Sequence, residues 1–242
     1  MSNEQSEQEF LSRYQRQEFS LPAVTVDLVI FTVLDTDLKI LLVRRGEHPF
    51  KNHFALPGGF VRVQDDGGGE DLEDAAYREL FEETALPRSA VYLEQLRAFG
   101  KANRDPRMRV VTVAYFSLIR PDLAPLIVAG GDAINVHWAS VHESLQHQQQ
   151  PKNSLAFDHD EIVAFAVQRL REKIDRLAFR LVPKTFSVTE LRAVYEAVNG
   201  KAYDASNFRR GFRRLLQDGC IEQAPGKRST MTRPAKVYRF ID

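Results

Sequence analysis

The stretch of sequence that decides the fold spans residues 70–84 and reads EDLEDAAYRELFEET. Its apolar residues recur every four positions, which predicts a helix over about 71–84 with one face buried. Glu79, Glu82 and Glu83 stand at i, i+3 and i+4, so they share a second face within one turn. The residues expected to pack inward are Leu72, Ala76 and Leu80.

Three carboxylates crowded on one helix face repel each other unless a cation neutralises them. Oxygen ligands at this density suit Mg²⁺ or Mn²⁺, which would in turn hold the phosphates of a substrate or effector. Acidic helix faces are usually solvated surface. The glycine-rich turn Pro57-Gly58-Gly59 before the helix and Arg78 within it favour a site here instead.

Strands are predicted on both sides of this helix, which indicates an α+β sandwich of mixed strands with helices outside. Val24–Phe31 has apolar residues at both odd and even positions, so it is expected to be a strand buried on both faces of a sheet. A later segment, Asp160–Asp175, has the apolar period of a helix. The remaining predicted strands are 39–44, 92–99, 109–118 and 136–138.

The chain of 242 residues has no net charge, but its charge is unevenly distributed. From Arg180 to Asp242 there are 13 basic and 6 acidic residues (+7), which leaves 20 against 27 (−7) elsewhere. A basic C-terminal quarter is typical of nucleic-acid binding by one module. The single cysteine, Cys220, excludes a disulfide framework within the chain. The N-terminus has no apolar signal region, and no apolar run approaches the length that a membrane span needs. We therefore expect a cytoplasmic protein that makes no membrane contact.

Two helices and a hairpin are predicted in this basic quarter, in the order of a winged helix. Ser187 and Glu190 have the spacing of a capping box, and Gly200 ends the helix that they begin. The second helix is capped by Asp204 or Ser206 and ends at Gly219; strands near 221–223 and 236–240 follow. The apolar stripes of the two helices are Leu191, Val194, Tyr195 and Val198, then Phe208, Phe212, Leu215 and Leu216.

The second helix also carries a row of polar and basic side chains. Asn207, Arg210 and Arg214 lie along one outward line, with Arg209 and Arg213 beside it. Asn and Arg on a helix can hydrogen-bond to bases in the major groove of DNA. The residues expected to contact phosphates are Lys227, Arg228, Arg233 and Lys236. The alternative is a basic protein-docking domain, but four arginines within six residues favour a polyanion as the partner.

The segment around the first helix resembles the Nudix box. The resemblance rests on Leu56-Pro57-Gly58-Gly59-Phe60, on Glu70 and on residues 78–84. Nudix enzymes hydrolyse nucleoside diphosphates linked to another moiety and hold Mg²⁺ on glutamates of the box. The resemblance therefore implies Glu70, Glu79, Glu82 and Glu83 as metal ligands, the last three also as catalytic residues of an active enzyme, and Arg78 as the residue that orients them.

The chain departs from the Nudix box in two places. Ten residues separate Gly59 from Glu70, more than the family has, and Ala85 replaces the glycine after the paired glutamates. Loop closure grows only logarithmically with length, so the insertion is tolerable, but it can displace Glu70. If the helix end requires a left-handed residue, Ala85 costs roughly 1 kcal/mol. These departures favour ligand binding over hydrolysis.

The chain from about residue 21 onward resembles the Nudix-related transcriptional regulators of the NrtR group. Besides the box, the supporting segments are 103–107, 155–159, 207–210 and 233–238. The resemblance implies a polar segment over 1–20, a Nudix-like effector domain (an α/β/α sandwich) over 21–178, and a winged helix-turn-helix domain over 179–242. It also implies a homodimeric repressor of NAD metabolism genes that leaves its palindromic operator when ADP-ribose binds.

An ADP-ribose effector would require cations for its pyrophosphate and a ring for its adenine. Arg104, Arg107 and Arg109 are suited to the first role and Phe157 or Phe54 to the second, although Phe157 and His159 can equally be packing residues. The full set predicted to bind effector is Gly58, Gly59, Arg78, Arg104, Arg107, Arg109 and Phe157. Three alternatives stay open: a magnesium-dependent ADP-ribose pyrophosphatase with an accessory winged helix, a sugar-responsive regulator, and a protein-docking scaffold without a ligand.

Overall fold

The computed structural model describes residues 9–10, 21–64, 68–127, 136–146, 155–228 and 234–241. Arg233 and nearly all of the predicted polar segment 1–20 lie outside the described residues. The described part forms a mixed α/β body followed by a small helical domain with a β-hairpin, as the sequence predicts.

The body is built on a seven-stranded sheet of β1 (Ala23–Leu34), β2 (Asp37–Arg44), β3 (Phe54–Ala55), β4 (Gly58–Phe60), β5 (Tyr92–Phe99), β6 (Val110–Leu118) and β7 (Val136–Ser140). Its main path runs β3-β2-β1-β6-β5, with β4 pairing β1 and β7 pairing β2. Among the strand pairs of the described residues, only β1 and β6 are parallel, and the other pairs are antiparallel. The central strand β1 is buried over almost its whole length, because it is apolar on both faces.

Helices cover the two faces of this sheet: α1 (Leu72–Thr84) on one, and α2 (Val141–Gln146) and α3 (His159–Leu177) on the other. Successive residues of β1 therefore point to different helices. Leu28 packs in the cluster that contains Leu80 of α1, whereas Val29 packs with Ile162 of α3. Ala75 takes the inward place predicted for Leu72, which lies in the first turn of α1 and is 36% exposed.

The C-terminal domain consists of α4 (Val188–Asn199), α5 (Ala205–Gln217) and a hairpin of β8 (Ile221–Arg228) and β9 (Ala235–Phe240). The capping box forms as predicted: the Glu190 amide donates to Ser187 Oγ, and the Ser187 amide to Glu190 Oε2. Asp204, rather than Ser206, caps α5, since its Oδ1 accepts from the Asn207 amide at 2.8 Å.

The two domains share one apolar cluster. Leu191 and Val198 of α4 belong to the same buried cluster as Val29 and Ile40 of the sheet. Arg171 of α3 also donates a 2.8 Å hydrogen bond to the carbonyl oxygen of Val198. The chain crosses between the domains through a short turn at Ala178–Arg180. Among the described residues, every helix is too short or too polar to cross a membrane.

Candidate functional site

Arg78 organises the carboxylates on the acidic face of α1. It binds Glu70 through two nitrogens, Nη2 to Oε1 at 2.7 Å and Nε to Oε2 at 2.9 Å. Its Nη1 lies 2.6 Å from Glu79 Oε1 and 3.3 Å from Glu82 Oε2. The hydrogen bonds from Arg78 lower the pKa of Glu70 to about 2, so that carboxylate stays ionised. Glu70 therefore holds Arg78 in place, which agrees with the orienting role predicted for this arginine.

The long loop before α1 folds back on itself and leaves Glu70 in position. Val63 and Gly69 form a bridge, the Gln64 amide donates to the Gly68 carbonyl, and the Glu70 amide donates to the Arg62 carbonyl at 3.1 Å. The described residues on either side of the insertion are thus paired with each other, and residues 65–67 lie outside the described residues. The second departure is also accommodated: Ala85 ends α1 with φ 55° and ψ 14°, in the left-handed conformation.

The glycine turn lies against the Glu79 carboxylate. A Cβ at Gly59 would lie 2.3 Å from Glu79 Oε1, so a side chain there would have to displace that carboxylate. Gly58 is more strongly constrained, because its φ is 153° and a Cβ there would lie 2.2 Å from the backbone carbonyl oxygen of Val26. The glycine turn therefore lets β4 lie close to Glu79.

Glu83 lacks the positive partner that the other glutamates have. Its Oε2 is buried without a hydrogen-bond partner among the described residues. Burial, followed by the charges of Glu79 and Glu82, raises the pKa of Glu83 to about 7; burial also raises the pKa of Glu79. A divalent cation would offset the charge of an ionised Glu83, but the described residues contain no group of three or more acidic, histidine or cysteine side chains arranged to hold one. The four predicted ligands do not form a common cage, because Arg78 occupies Glu70 and Glu79.

A cavity of about 180 Å³ lies beside the glycine turn, at the N-terminus of α3. It brings together five of the residues predicted to bind effector: Gly58, Gly59, Arg104, Arg107 and Phe157. A second cavity of about 500 Å³ adjoins it and shares Arg104 and Phe157 as lining. Arg78 and Arg109 line neither cavity; Arg109 instead donates to the carbonyl oxygens of Gly100 and Lys101.

Arg104 is buried between two carboxylates on the floor of this cavity. Its Nη2 lies 3.0 Å from Asp27 Oδ2 and 2.7 Å from Asp158 Oδ1, and its side chain is 4% exposed. Burial alone would lower the pKa of Arg104, but the bonds to Asp158 and Asp27 hold it above its ordinary value. The structure thus differs from the prediction that Arg104 offers its charge to a pyrophosphate, because two protein carboxylates already offset that charge.

His159 supports the same floor. Its Nδ1 accepts a 2.9 Å hydrogen bond from the Leu56 amide, so Nε2 carries the proton and faces Asp27 Oδ1 at 3.7 Å. Burial lowers the pKa of His159, which keeps the ring neutral. His159 is 4% exposed, and these contacts fit the packing alternative given for it in the sequence.

Phe157 forms the aromatic wall of the cavity. Its ring meets that of Phe50 at 4.9 Å, and the Arg45 guanidinium lies 4.8 Å from its centre. Arg107 lies 5.6 Å from the ring of Phe60 and keeps 44% of its side chain exposed, although Asp105 binds it at 2.8 Å. Two arginines, Arg45 and Arg107, thus flank an aromatic face. Phe54, the alternative stacking residue, instead contacts His137 at 5.6 Å.

Sequence reasoning missed Asp27, Arg45 and Phe50 at this site. Asp27 is the one charged residue of β1, and a lone carboxylate at a buried strand position is a signal that a partner cation exists. Arg45 and Phe50 lie in the loop between β2 and β3, and no local pattern predicts that this loop folds over the start of α3.

The second candidate surface is the outer face of α5. Its polar and basic residues, Asn207, Arg209, Arg210, Arg213 and Arg214, are all exposed, as predicted. In the described ranges, none of the four arginines is paired with a carboxylate. The opposite face is packed: Phe212 is 4% exposed and meets Tyr238 of β9 at 4.8 Å. The helix therefore presents four unpaired positive charges on a rigidly held element.

The hairpin beside α5 contributes fewer free cations than predicted. Lys227 and Lys236 are exposed at paired positions of β8 and β9. Arg228 is committed elsewhere, since its Nη2 donates to the Thr185 carbonyl and its Nε lies 3.2 Å from Glu190 Oε1. Arg228 therefore ties the hairpin to the start of α4, and its guanidinium is less available to a DNA phosphate than the sequence predicted.

Both domains match known protein families. The NUDIX domain model matches residues 24–162, and the NrtR DNA-binding winged helix domain model matches residues 178–240. The ADPR responsive transcriptional repressor NtrR of Acinetobacter baylyi is 36% identical over 240 residues, 98% of this chain and 90% of the relative. An ADP-ribose pyrophosphatase of Methanocaldococcus jannaschii is 38% identical over 142 residues, 59% of this chain and 71% of that protein.

Solved structures of Shewanella oneidensis NrtR are similar to this fold. The complex of that protein with a 27mer DNA superposes with a TM-score of 0.73 at 33% identity, covering 90% of this chain and 93% of the other. Its NUDIX domain complexed with ADP ribose superposes with a TM-score of 0.52 at 35% identity, covering 70% of this chain and 99% of the other.

Proposed function

The chain belongs to the Nudix family, in the group that carries the NrtR winged helix, and from this premise we propose that it is a DNA-binding transcriptional repressor whose Nudix domain binds ADP-ribose. The observation that carries the proposal is the exposed face of α5, where four arginines lack carboxylate partners among the described residues. Release of counterions from DNA phosphates would offset the repulsion among these charges. The Acinetobacter relative and the DNA complex of the Shewanella protein support the same assignment.

Within α5, Asn207 and Arg210 are the residues proposed to read bases. They lie one turn apart on the exposed face, and the packed Phe212 on the other side fixes which way they point. Arg and Asn form bidentate pairs with guanine and adenine edges in the major groove. Arg209, Arg213, Arg214, Lys227 and Lys236 are proposed to contact the backbone. By these assignments the specificity comes from α5, and the general affinity comes from α5 and the hairpin together.

The proposed effector site is the pair of cavities that share Phe157. Phe157 and Phe50 present ring edges and faces for adenine, and Arg45 and Arg107 are the cations that flank them. Arg104, with Asp27 and Asp158, is proposed to shape the floor rather than to neutralise the pyrophosphate, because its charge is already offset. The ADP-ribose complex of the Shewanella NUDIX domain supports this choice of ligand over a sugar.

Helix α3 is the element proposed to couple the two sites. It has 19 residues, about 28 Å of helix, and its first residues, next to Asp158, border the effector cavity. Near its other end, Arg171 holds the Val198 carbonyl of α4. A ligand that shifts Asp158 would therefore move the domain that carries α5. Such a ligand weakens DNA binding by its difference in affinity between the free and DNA-bound arrangements.

The proposal extends to the oligomeric state of the protein, the form of its operator and its place in the cell. We propose a homodimer on a palindromic operator, because two copies of α5 one DNA turn apart double the contacts. A regulator of this kind works where the chromosome is, in the bacterial cytoplasm. Control of NAD metabolism genes stays a prediction from the resemblance of the sequence to the NrtR group.

The DNA half is tested with Arg210→Ala and Lys227→Ala on a duplex that the protein itself selects from random sequence. Arg210→Ala should reduce the preference for that duplex over scrambled DNA by about 1 to 3 kcal/mol, as loss of a guanine contact does. Lys227→Ala should weaken both duplexes equally and flatten the salt dependence. Anisotropy titrations at several salt concentrations measure both effects. Wild-type behaviour of both variants would show that another surface binds the DNA.

A second candidate function is hydrolysis of ADP-ribose, favoured by the Methanocaldococcus relative and by the presence of Glu79, Glu82 and Glu83. Magnesium would be held by Glu83 and Glu82 together with the ligand's phosphates, and would supply charge for activating water and the leaving phosphate. Glu79 would first have to leave Arg78, which binds it at 2.6 Å.

Product analysis with ADP-ribose and Mg²⁺ separates this candidate from the first. Hydrolysis that is lost in Glu82→Gln establishes an enzyme, whereas ADP-ribose that stays intact while still binding leaves only the repressor. Mg²⁺ binding has its own readout: Mg²⁺ should raise the melting temperature of wild type and not of Glu83→Gln.

A further inference from the structure

A third cavity, of about 470 Å³, lies between the two domains, at the edge of the sheet where β5 begins and β6 ends. We call it the junction cleft. Its lining comes from both domains and from the linker between them. Its lining includes Tyr92 and Arg120 of the sheet, Phe179, Arg180 and Lys184 of the linker, and Phe240 of β9. None of these residues lines the two effector cavities.

The junction cleft is strongly positive. Four of its lining residues are basic (Arg120, Arg180, Lys184 and Arg239), and no Asp or Glu of the described ranges lines it. Arg120 is bound by Asp122 at 3.2 Å and Arg239 by Glu222. Arg180 and Lys184, in contrast, have no ion pair with any residue of the described ranges. Two uncompensated cations in a concave site focus the field and favour an anion there.

The cleft also presents aromatic rings next to these cations. The rings of Phe179 and Phe240 meet at 5.3 Å, and both side chains remain partly exposed. The Arg180 guanidinium lies 4.6 Å from the ring centre of Phe179 and 5.8 Å from that of Tyr92. A guanidinium held against ring faces keeps its N–H edge free for a phosphate oxygen. An anionic ligand with a flat ring matches both features.

We propose that the junction cleft is a second ligand site, for a nucleoside phosphate. The phosphates bind Arg180 and Lys184, and the base packs on Phe179 and Phe240. A small molecule suits the site better than duplex DNA, because DNA phosphates follow an outer surface and would leave the aromatic wall unused. The free cations, the rings and the concave shape thus point to the same class of ligand.

A nucleotide in this cleft would touch the sheet, the linker and β9 at once, and so would fix the orientation of the winged helix on the Nudix domain. It would change DNA affinity if that orientation differs between the free and DNA-bound protein. This regulatory consequence rests on the proposed function, whereas the binding itself does not.

The binding is tested by equilibrium dialysis of the full chain with radiolabelled ADP, without DNA. Wild type should bind two ADP per chain, one in the effector cavities and one in the junction cleft. Lys184→Gln should weaken one site at least tenfold; the Lys184 side chain is exposed, so the variant should fold. Arg176→Gln is the matched control, since it removes an exposed cation of the same region that does not line the cleft. Phe157→Ala should weaken only the other site.

ADP binding by Lys184→Gln equal to that of wild type, or an equal loss in Arg176→Gln, would overturn the proposal. A single ADP per wild-type chain overturns it as well when Phe157→Ala, and not Lys184→Gln, weakens that site. A drop in DNA affinity of Lys184→Gln without nucleotide, equal to that of Lys227→Ala, would assign the cleft to DNA instead. If ADP-ribose fails to release DNA while the two-site stoichiometry holds, the proposed function fails and the cleft remains.

Discussion

Replacing Ala85 by glycine should stabilise the protein, even though it removes a methyl group. Ala85 ends α1 in the left-handed conformation, with φ 55° and ψ 14°. Its side chain is exposed, so no packing is lost on substitution. The bond from its amide to the Phe81 carbonyl, at 2.8 Å, is a backbone contact that glycine keeps. The change therefore isolates the cost of a left-handed alanine.

Two opposing effects set the size of the change. A non-glycine residue in the left-handed region costs about 1–2 kcal/mol, which Ala85→Gly recovers. Glycine also widens the unfolded ensemble, which costs about 0.4–1 kcal/mol. The two ranges leave a net stabilisation of about 0 to 1.6 kcal/mol, with a midpoint of about 0.8 kcal/mol, which raises the melting temperature by about 2 °C for a chain of this size. Urea denaturation and calorimetry measure the two quantities.

Ala202→Gly is the matched control for this prediction. Ala202 is also exposed, but it lies outside the positive-φ residues, so only the unfolded-state effect should remain and the protein should lose about 0.4–1 kcal/mol. Equal destabilisation by Ala85→Gly and Ala202→Gly would refute the account of the end of α1. Ala85→Gly is not expected to create hydrolytic activity, because it leaves the carboxylates and Arg78 as they are.

Other perturbations give results of defined sign. In the folded protein the pKa of Glu83 is raised from 4.5 to about 7, so the free energy of unfolding should fall as the pH rises through this range. Urea titrations at pH 5 and pH 8 measure this fall, and Glu83→Gln should remove the contribution of Glu83 to it. An equal fall in wild type and Glu83→Gln would contradict the prediction. Arg104→Met leaves Asp27 and Asp158 buried without their cation, so it should lower the free energy of unfolding by about 3–5 kcal/mol in chemical denaturation. A decrease below about 1 kcal/mol would show that water already reaches the two carboxylates. Phe157→Ala should weaken ADP-ribose binding about tenfold by calorimetry while leaving DNA affinity at wild-type strength; unaltered ADP-ribose affinity would move the adenine elsewhere.

The elements of this fold were predictable wherever one local pattern determines them. The period of α1, the apolar run of β1 and the capping box at Ser187 each depend on residues close together in the chain, and each forms as predicted. The outward row on α5 was predictable for the same reason, since the apolar stripe through Phe212 fixes the opposite face.

The effector cavity was predictable only in part, because its chemistry depends on contacts between distant segments. Arg104 lies 77 residues from Asp27 and 54 from Asp158, and no periodicity reports that these three meet. A free arginine and an arginine between two buried carboxylates look identical in sequence. The commitment of Arg228 to Thr185 was hidden for the same reason, with 43 residues between them.

The most direct test of the central claim is fluorescence anisotropy of the full chain on a labelled duplex that it has selected, titrated with ADP-ribose at fixed salt. The account predicts that ADP-ribose releases wild type from the duplex, and that Phe157→Ala requires about tenfold more ligand for the same release. Binding of ADP-ribose by calorimetry with no change in anisotropy would contradict it, because the effector cavity and the arginine face of α5 would then act independently.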